Sequence, residues 1–161
     1  MKGFENGEKI SGKAKVKRET IDFETLKKIK TKIFGSNKPK SWKKCFWAAC
    51  STAFFGCFRM GELLPKLENQ TDKTFDLLWG DIKLSKKHAE ITLKSQKNQV
   101  LKPQILHIFK LKDKNSCPIS ALRALKKHLK KNGFFSSSKP VLMVSKKQNL
   151  RQRKVVRKDV F

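Results

Sequence analysis

Tyrosine is missing altogether from these 161 residues, so no phenolic hydroxyl is available as a nucleophile or proton donor. Acid is scarce as well: 13 Asp and Glu stand against 39 Lys and Arg, a formal net charge of +26. That imbalance far exceeds what solubility requires and points to a polyanionic partner, with nucleic acid first. A membrane surface is the competing polyanion, but the basic residues run along the whole chain and do not flank one amphipathic or transmembrane segment.

Long apolar runs are absent too. The longest, Cys45 to Phe58, is broken only by Ser51, Thr52 and Gly56, short of the ~20 residues a spanning helix needs. It reads as a core helix, with no membrane partner. The N-terminus, Met1-Lys2-Gly3-Phe4-Glu5, lacks a charged start, apolar middle and small-residue cleavage site, so an intracellular protein is expected. Asn69-Gln70-Thr71 matches a glycosylation acceptor that is incidental in that setting. Cys45, Cys50, Cys57 and Cys117 contain no Cys-x-x-Cys pair. The first three fall on one helix at spacings that suit neither zinc nor an internal disulfide, so all four read as reduced core residues. His88, His107 and His128 are scattered without ligand spacing and read as surface or strand histidines. Neither a metal nor a cofactor is expected.

The length suits one domain with a genuine core. Residues 1–18 carry six basic and two acidic side chains together with Gly3, Gly7 and Gly12, too little apolar content to fold alone, and read as a basic flexible arm or linker. The ordered part, 19–161, starts near Glu19. Asp22 is placed to cap a helix with Phe23, Leu26, Ile29 and Phe34 at helical spacing, ended by Gly35-Ser36-Asn37-Lys38-Pro39. Ser41 is expected to cap a second helix, from Trp42 to Phe58, with so little polar face that other elements must surround it. Beyond Pro65, Phe75 to Trp79 and Gly80-Asp81-Ile82 suggest a short strand and turn.

Ala89 to Lys94 alternates as a half-buried strand with Ile91 and Leu93 inward. A polar turn at Ser95 to Gln99 leads to a returning strand, Gln104 to Leu111, with Ile105, His107, Phe109 and Leu111 on one face. Cys117-Pro118 opens a third helix, with Pro118 in its first turn, Ile119, Leu122, Leu125 and Leu129 as its buried stripe, and Asn132-Gly133 as its stop. A short apolar segment, Pro140 to Val144, precedes a basic run with Lys146, Lys147, Arg151, Arg153, Lys154, Arg157 and Lys158. That run suits a phosphate-contacting face or a nuclear localisation signal, and a solvated tail is the bland alternative. The fold class is α+β, mainly helical, with a small three-stranded antiparallel sheet.

The stretch that organises these elements is Ala53-Phe54-Phe55-Gly56-Cys57-Phe58-Arg59-Met60-Gly61-Glu62-Leu63-Leu64, where an apolar helix runs out onto a permanent cation. Placed among Phe58, Met60 and Leu63, Arg59 needs an anion. Two readings stand side by side: a salt bridge to Glu62, or a phosphate held by the guanidinium fork.

A helix, this Arg-x-x-Glu stretch, three short strands with a lysine in a turn, then Cys-Pro opening a helix: from about Glu19 to Phe161, this order resembles the catalytic domain of tyrosine recombinases, the phage integrase family. The resemblance implies that Arg59 is the first catalytic arginine and Glu62 a support for the site. It puts the catalytic lysine at Lys97, in the turn after Lys94, with Lys94 as the fallback. In that family a tyrosine attacks a DNA phosphodiester, arginines hold the non-bridging oxygens and the lysine protonates the leaving 5′-oxygen, roles that suit a forked cation and a mobile ammonium.

The nucleophile has no counterpart here, and no His-x-x-Arg follows Lys97. The chain therefore reads as the N-terminal, truncated part of such a domain, DNA-binding but unable to cleave by itself. Duplex DNA is the expected partner, with a homo-oligomer on DNA possible for the complete protein. Lys94, Arg151, Arg153, Lys154 and Arg157 are candidate DNA contacts. A domesticated, catalytically dead DNA-binding protein and a basic RNA-binding protein are the alternatives.

Overall fold

The structure, a computed structural model, describes residues 20–65, 71–94 and 103–142. The elements run α1 (Phe23–Gly35), α2 (Lys40–Gly56), a four-residue α3 (Met60–Leu63), a 3-10 turn (Trp79–Asp81), β1 (Ile82–Leu84), β2 (His88–Leu93), β3 (Gln104–Phe109) and α4 (Pro118–Lys131). This is an α+β architecture whose three strands form one antiparallel sheet in the order β1-β2-β3. Among the described residues no helix is long and apolar enough to cross a membrane.

The first helix starts as its sequence dictates. Asp22, in extended backbone, accepts the Thr25 N–H at 2.7 Å, which satisfies one of the orphan donors of the first turn. Its buried residues are Leu26 and Ile33, whereas Phe34 lies 43% exposed. Seven residues are nearly two helical turns, so Ile33 falls above Leu26 and Phe34 is swung off the stripe.

At α2 the expected Ser41 cap is replaced. Pro39 occupies the N-cap and its carbonyl accepts the Lys43 N–H at 3.0 Å, which leaves Ser41 buried inside the first turn. Nor is α2 enclosed on every side. It packs against α1 and α4, but Trp42 and Phe46 stack on each other on an open face, ring centroids 4.8 Å apart, with Phe46 40% exposed. Small and hydroxyl side chains fill the inner face instead: Ala48, Ala49, Ser51 and Thr52 are buried. Ser51 Oγ donates back to the Trp47 carbonyl at 2.8 Å, while Thr52 Oγ1 has no hydrogen-bond partner among the described residues.

The segment read as a strand at Phe75 to Trp79 is a turn followed by the 3-10 turn, and the strand itself begins at Ile82. Main-chain pairing in this segment goes to a distant partner, 139–141: Leu78 bridges Pro140, the Trp79 N–H reaches the Lys139 carbonyl at 3.1 Å, and the Val141 N–H reaches the Leu77 carbonyl at 3.1 Å. Pro140, Val141 and Leu142 are thereby buried beside the sheet.

In β2 the alternation holds, with Ala89, Ile91 and Leu93 buried. Strand β3 stops at Phe109 and faces the other way from a simple inward set. Leu106 and Ile108 oppose Ile91 and Ala89 on the core side, while Ile105 and Phe109 are 59% and 68% exposed. The last helix keeps its expected stripe, Ile119, Leu122, Leu125 and Leu129, with Pro118 at its start and Gly133 at φ 69 after its end. Buried side chains of α1, α2, the sheet and α4 join in one core cluster with Phe58, Leu63 and Trp79.

Candidate functional site

Arg59 takes its place from the way α2 ends. Cys57 sits at φ 52, ψ 31, the left-handed conformation, and its N–H bonds the Ala53 carbonyl. A residue with a Cβ is strained there by about 1–2 kcal/mol, which is why glycine is the common occupant. The reversal lets the Phe58 ring fold back against Gly56, where a Cβ would collide with ring carbons. Phe58 is thus buried and Arg59, one residue on, is exposed.

This corrects the expectation that the arginine is a charge stranded in the core, since the guanidinium keeps its hydration. Glu62 is spoken for by the main chain. Its Oε2 accepts the Arg59 N–H at 2.9 Å, and the Glu62 N–H bonds the Arg59 carbonyl at 2.9 Å. The first bond is the half of a capping box in which the third helical residue reaches back to the main-chain N–H that precedes the helix. No ion pair joins the Arg59 guanidinium to a carboxylate among the described residues, so the salt bridge to Glu62 gives way to a cap.

Lys94 is held differently. Its Nζ lies 2.7 Å from Asp81 Oδ2 and donates to the Lys73 carbonyl at 3.0 Å and the Asp76 carbonyl at 3.5 Å. Asp81 Oδ2 also accepts the Leu78 N–H at 2.9 Å. The lysine therefore ties the end of β2 to the 3-10 turn and the loop before it, with its side chain only 24% exposed. Lys97, Arg151, Arg153, Lys154 and Arg157 lie outside the described residues, as does the polar turn at Ser95 to Gln99.

Two further expectations shift. The cysteines are all free, but only Cys45 and Cys117 are buried, while Cys57 is exposed at the helix end. Burial pushes the Cys45 thiol up to about 12, which makes it inert. His88 and His107 are strand histidines, as expected, but the sheet brings them together: among the described residues His88, Glu90 and His107 place one ligand atom each within 4.8 Å of one another. His88 and Glu90 are two apart on one face of β2, and His107 lies directly across from Glu90 on β3. The sequence signal was present only as a period-two pair, His-x-Glu, beside a second strand carrying a histidine.

Comparison of the chain with protein-family models, curated proteins and solved structures gives no match. The basic surface and the geometry just described carry the functional reading.

On the outside of α4 the lysines divide between solvent and rings. Lys126 Nζ lies 5.9 Å from the Trp79 ring centroid and 5.2 Å from that of Phe135, and Lys130 stands 5.2 Å from Phe135. Such contacts hold a lysine stem against the surface and leave the ammonium a donor for an arriving anion.

Proposed function

We propose that the chain is the DNA-binding part of a tyrosine-recombinase-like catalytic domain, one that grips duplex DNA by its phosphates and cannot form a phosphotyrosine by itself. The reading rests on the resemblance in element order, on the net charge of +26 and on the complete absence of tyrosine. The observation that carries it is Arg59. Its side chain is exposed, its neighbour Glu62 is engaged by main-chain N–H, and its five donors meet no carboxylate among the described residues. A fork of that geometry takes two oxygens of one phosphate. The turn that presents it is held by a capped helix and a buried phenylalanine, so little ordering accompanies binding.

In the complete enzyme Arg59 clamps the scissile phosphate, Glu62 fixes the backbone that carries it, and Lys97 supplies the proton to the leaving oxygen. Arg151, Arg153, Lys154 and Arg157 add backbone contacts that hold the duplex without reading bases. Lys94, already bound to Asp81, is assigned to scaffolding.

The test is binding of a short duplex by fluorescence anisotropy across a salt series, for the wild type and Arg59→Ala. Affinity should fall steeply with salt as counterions are released. The variant should melt as the wild type does and lose about one unit of the log-log salt slope. A flat salt profile, or structured RNA outcompeting duplex DNA at matched salt, overturns the reading. Unfolding of Arg59→Ala would assign the arginine to structure.

A further inference from the structure

The outer face of the sheet holds a group of side chains that phosphate binding does not use. His88 and Glu90 stand on β2, His107 on β3 opposite Glu90, and Lys83 on β1 on the other side of Glu90. Two imidazoles and one carboxylate on a two-stranded register are a donor set for a borderline divalent ion, since imidazole nitrogen suits zinc, cobalt, nickel and copper better than magnesium or calcium.

The hydrogen bonds around His88 give a second, independent reason. Ser85 Oγ donates its only proton to the His88 carbonyl at 2.8 Å and accepts the His88 N–H at 3.0 Å. With that proton on the carbonyl, its remaining contact, His88 Nδ1 at 3.0 Å, is a donation from the ring, because the hydroxyl has no second proton to give. In the neutral ring that assignment leaves Nε2 as a bare lone pair. Yet Nε2 faces Glu90 Oε1 at 3.3 Å, acceptor against acceptor. The pair is resolved by a proton on Nε2 or by a cation between the two atoms.

The spacing of the two atoms fits a cation between them. Metal bonds of ~2.0–2.1 Å set neighbouring atoms of a tetrahedral shell about 3.4 Å apart, close to the observed 3.3 Å. The His107 ring, centroid 5.6 Å from that of His88, brings a third nitrogen within 4.8 Å of both other ligand atoms. It is exposed and free to turn the remaining distance. The outer support is also built: Ser85 holds the His88 ring by the nitrogen that does not face the site, and Arg123 of α4 donates to the Ser85 carbonyl. Metal-bound histidines are fixed in this way by a partner on the opposite ring nitrogen. Lys83, whose Nζ lies 3.8 Å from Glu90 Oε2, is the competing cation and has a side chain 82% exposed, free to swing into water.

We propose that His88, Glu90 and His107 form a three-ligand site for a zinc-class divalent ion, with the remaining position open to solvent, and that the ion pins β2 to β3. The site is independent of the phosphate-binding reading. Tag-free protein titrated with Zn²⁺ by calorimetry, and with Co²⁺ by absorption, should take up one ion per chain at neutral pH. Ring ¹H–¹⁵N spectra should then shift at His88 and His107 and stay still at His128, which is the internal control.

His107→Gln and Glu90→Gln should each weaken binding by at least about 10-fold, since even a supporting residue behind a ligand is worth about 10- to 100-fold. Ser85→Ala should weaken it by about 10-fold on the same grounds. His107 is exposed, so its variant keeps the fold. Failure to bind at millimolar metal overturns the proposal, as does unchanged affinity in His107→Gln. A thiolate-to-cobalt charge-transfer band that survives in His107→Gln would put the ion on cysteine, which overturns it too.

Discussion

Replacing Lys94 by Met separates scaffolding from phosphate contact, because the stem is kept and only the ammonium is lost. In the folded protein Lys94 Nζ touches Asp81 Oδ2 at 2.7 Å and two main-chain carbonyls, and the two side chains are 24% and 17% exposed. At an effective dielectric constant of about 20, unit charges at that separation attract by roughly 6 kcal/mol. Desolvation of both groups cancels most of this. Exposed pairs end near ~0–1 kcal/mol and truncation of fully buried ones costs ~3–5 kcal/mol. A pair about one-fifth exposed lies between, so Lys94→Met should lower stability by about 2 kcal/mol.

For a domain of this size that is a fall in melting temperature of roughly 4–8 °C, measurable by thermal or urea denaturation. Removing both partners, Lys94→Met with Asp81→Asn, should recover part of the loss, since the carboxylate is no longer left uncompensated. Added salt should change the loss little, as buried pairs are weakly screened. Duplex DNA binding by Lys94→Met, measured well below its melting temperature, should match the wild type. Unchanged stability together with weakened DNA binding would refute the scaffolding role and make Lys94 a phosphate ligand.

Thr52→Val should stabilise the protein by about 1 kcal/mol, because it removes a buried hydroxyl that has no partner among the described residues and keeps the shape. A loss of stability in urea titration would show that the hydroxyl is bonded. Stability should also fall on acidification. The His128 ring is held below its ordinary 6.5 by burial and then by Lys44, Lys131 and Lys40. Asp22 and Asp113 are held below their ordinary values chiefly by bonds from Thr25 and Ser116. Each lowered value means that the unfolded chain binds the proton more readily, so each contribution is complete above the ordinary value and lost as pH falls through the folded one. His128→Gln should flatten the stretch below 6.5 and leave the carboxylate stretch at lower pH intact. Urea midpoints that rise as the wild type is acidified through this range would contradict it.

Much of the helical framework was legible locally. Asp22 caps α1, Cys117-Pro118 starts α4, and the 119, 122, 125, 129 stripe is buried, since capping and helical periodicity depend on neighbours within one or two turns. The alternation of β2 was equally readable. The Ser41 cap failed locally, displaced by Pro39, but the larger failures depended on distant residues. Phe75 to Trp79 looked like a strand, yet its backbone partner is the segment 139–141, which gives one bridge and no ladder. An apolar α2 implied burial all round, but α1 and α4 cover only part of it and leave Phe46 at the surface.

The sequence by itself determined the charge, the missing phenol, the order of the elements and the Arg-x-x-Glu spacing that lets Glu62 reach the Arg59 N–H. Only the tertiary structure decided what those residues face. A left-handed turn at Cys57 and a phenylalanine folded onto Gly56 put Arg59 in water, because the direction of a chain after a helix is set by the packing of the residue that follows. Strand pairing likewise brought His107 to Glu90 and His88. Antiparallel register joins residues far apart in sequence, and no local spacing encodes it.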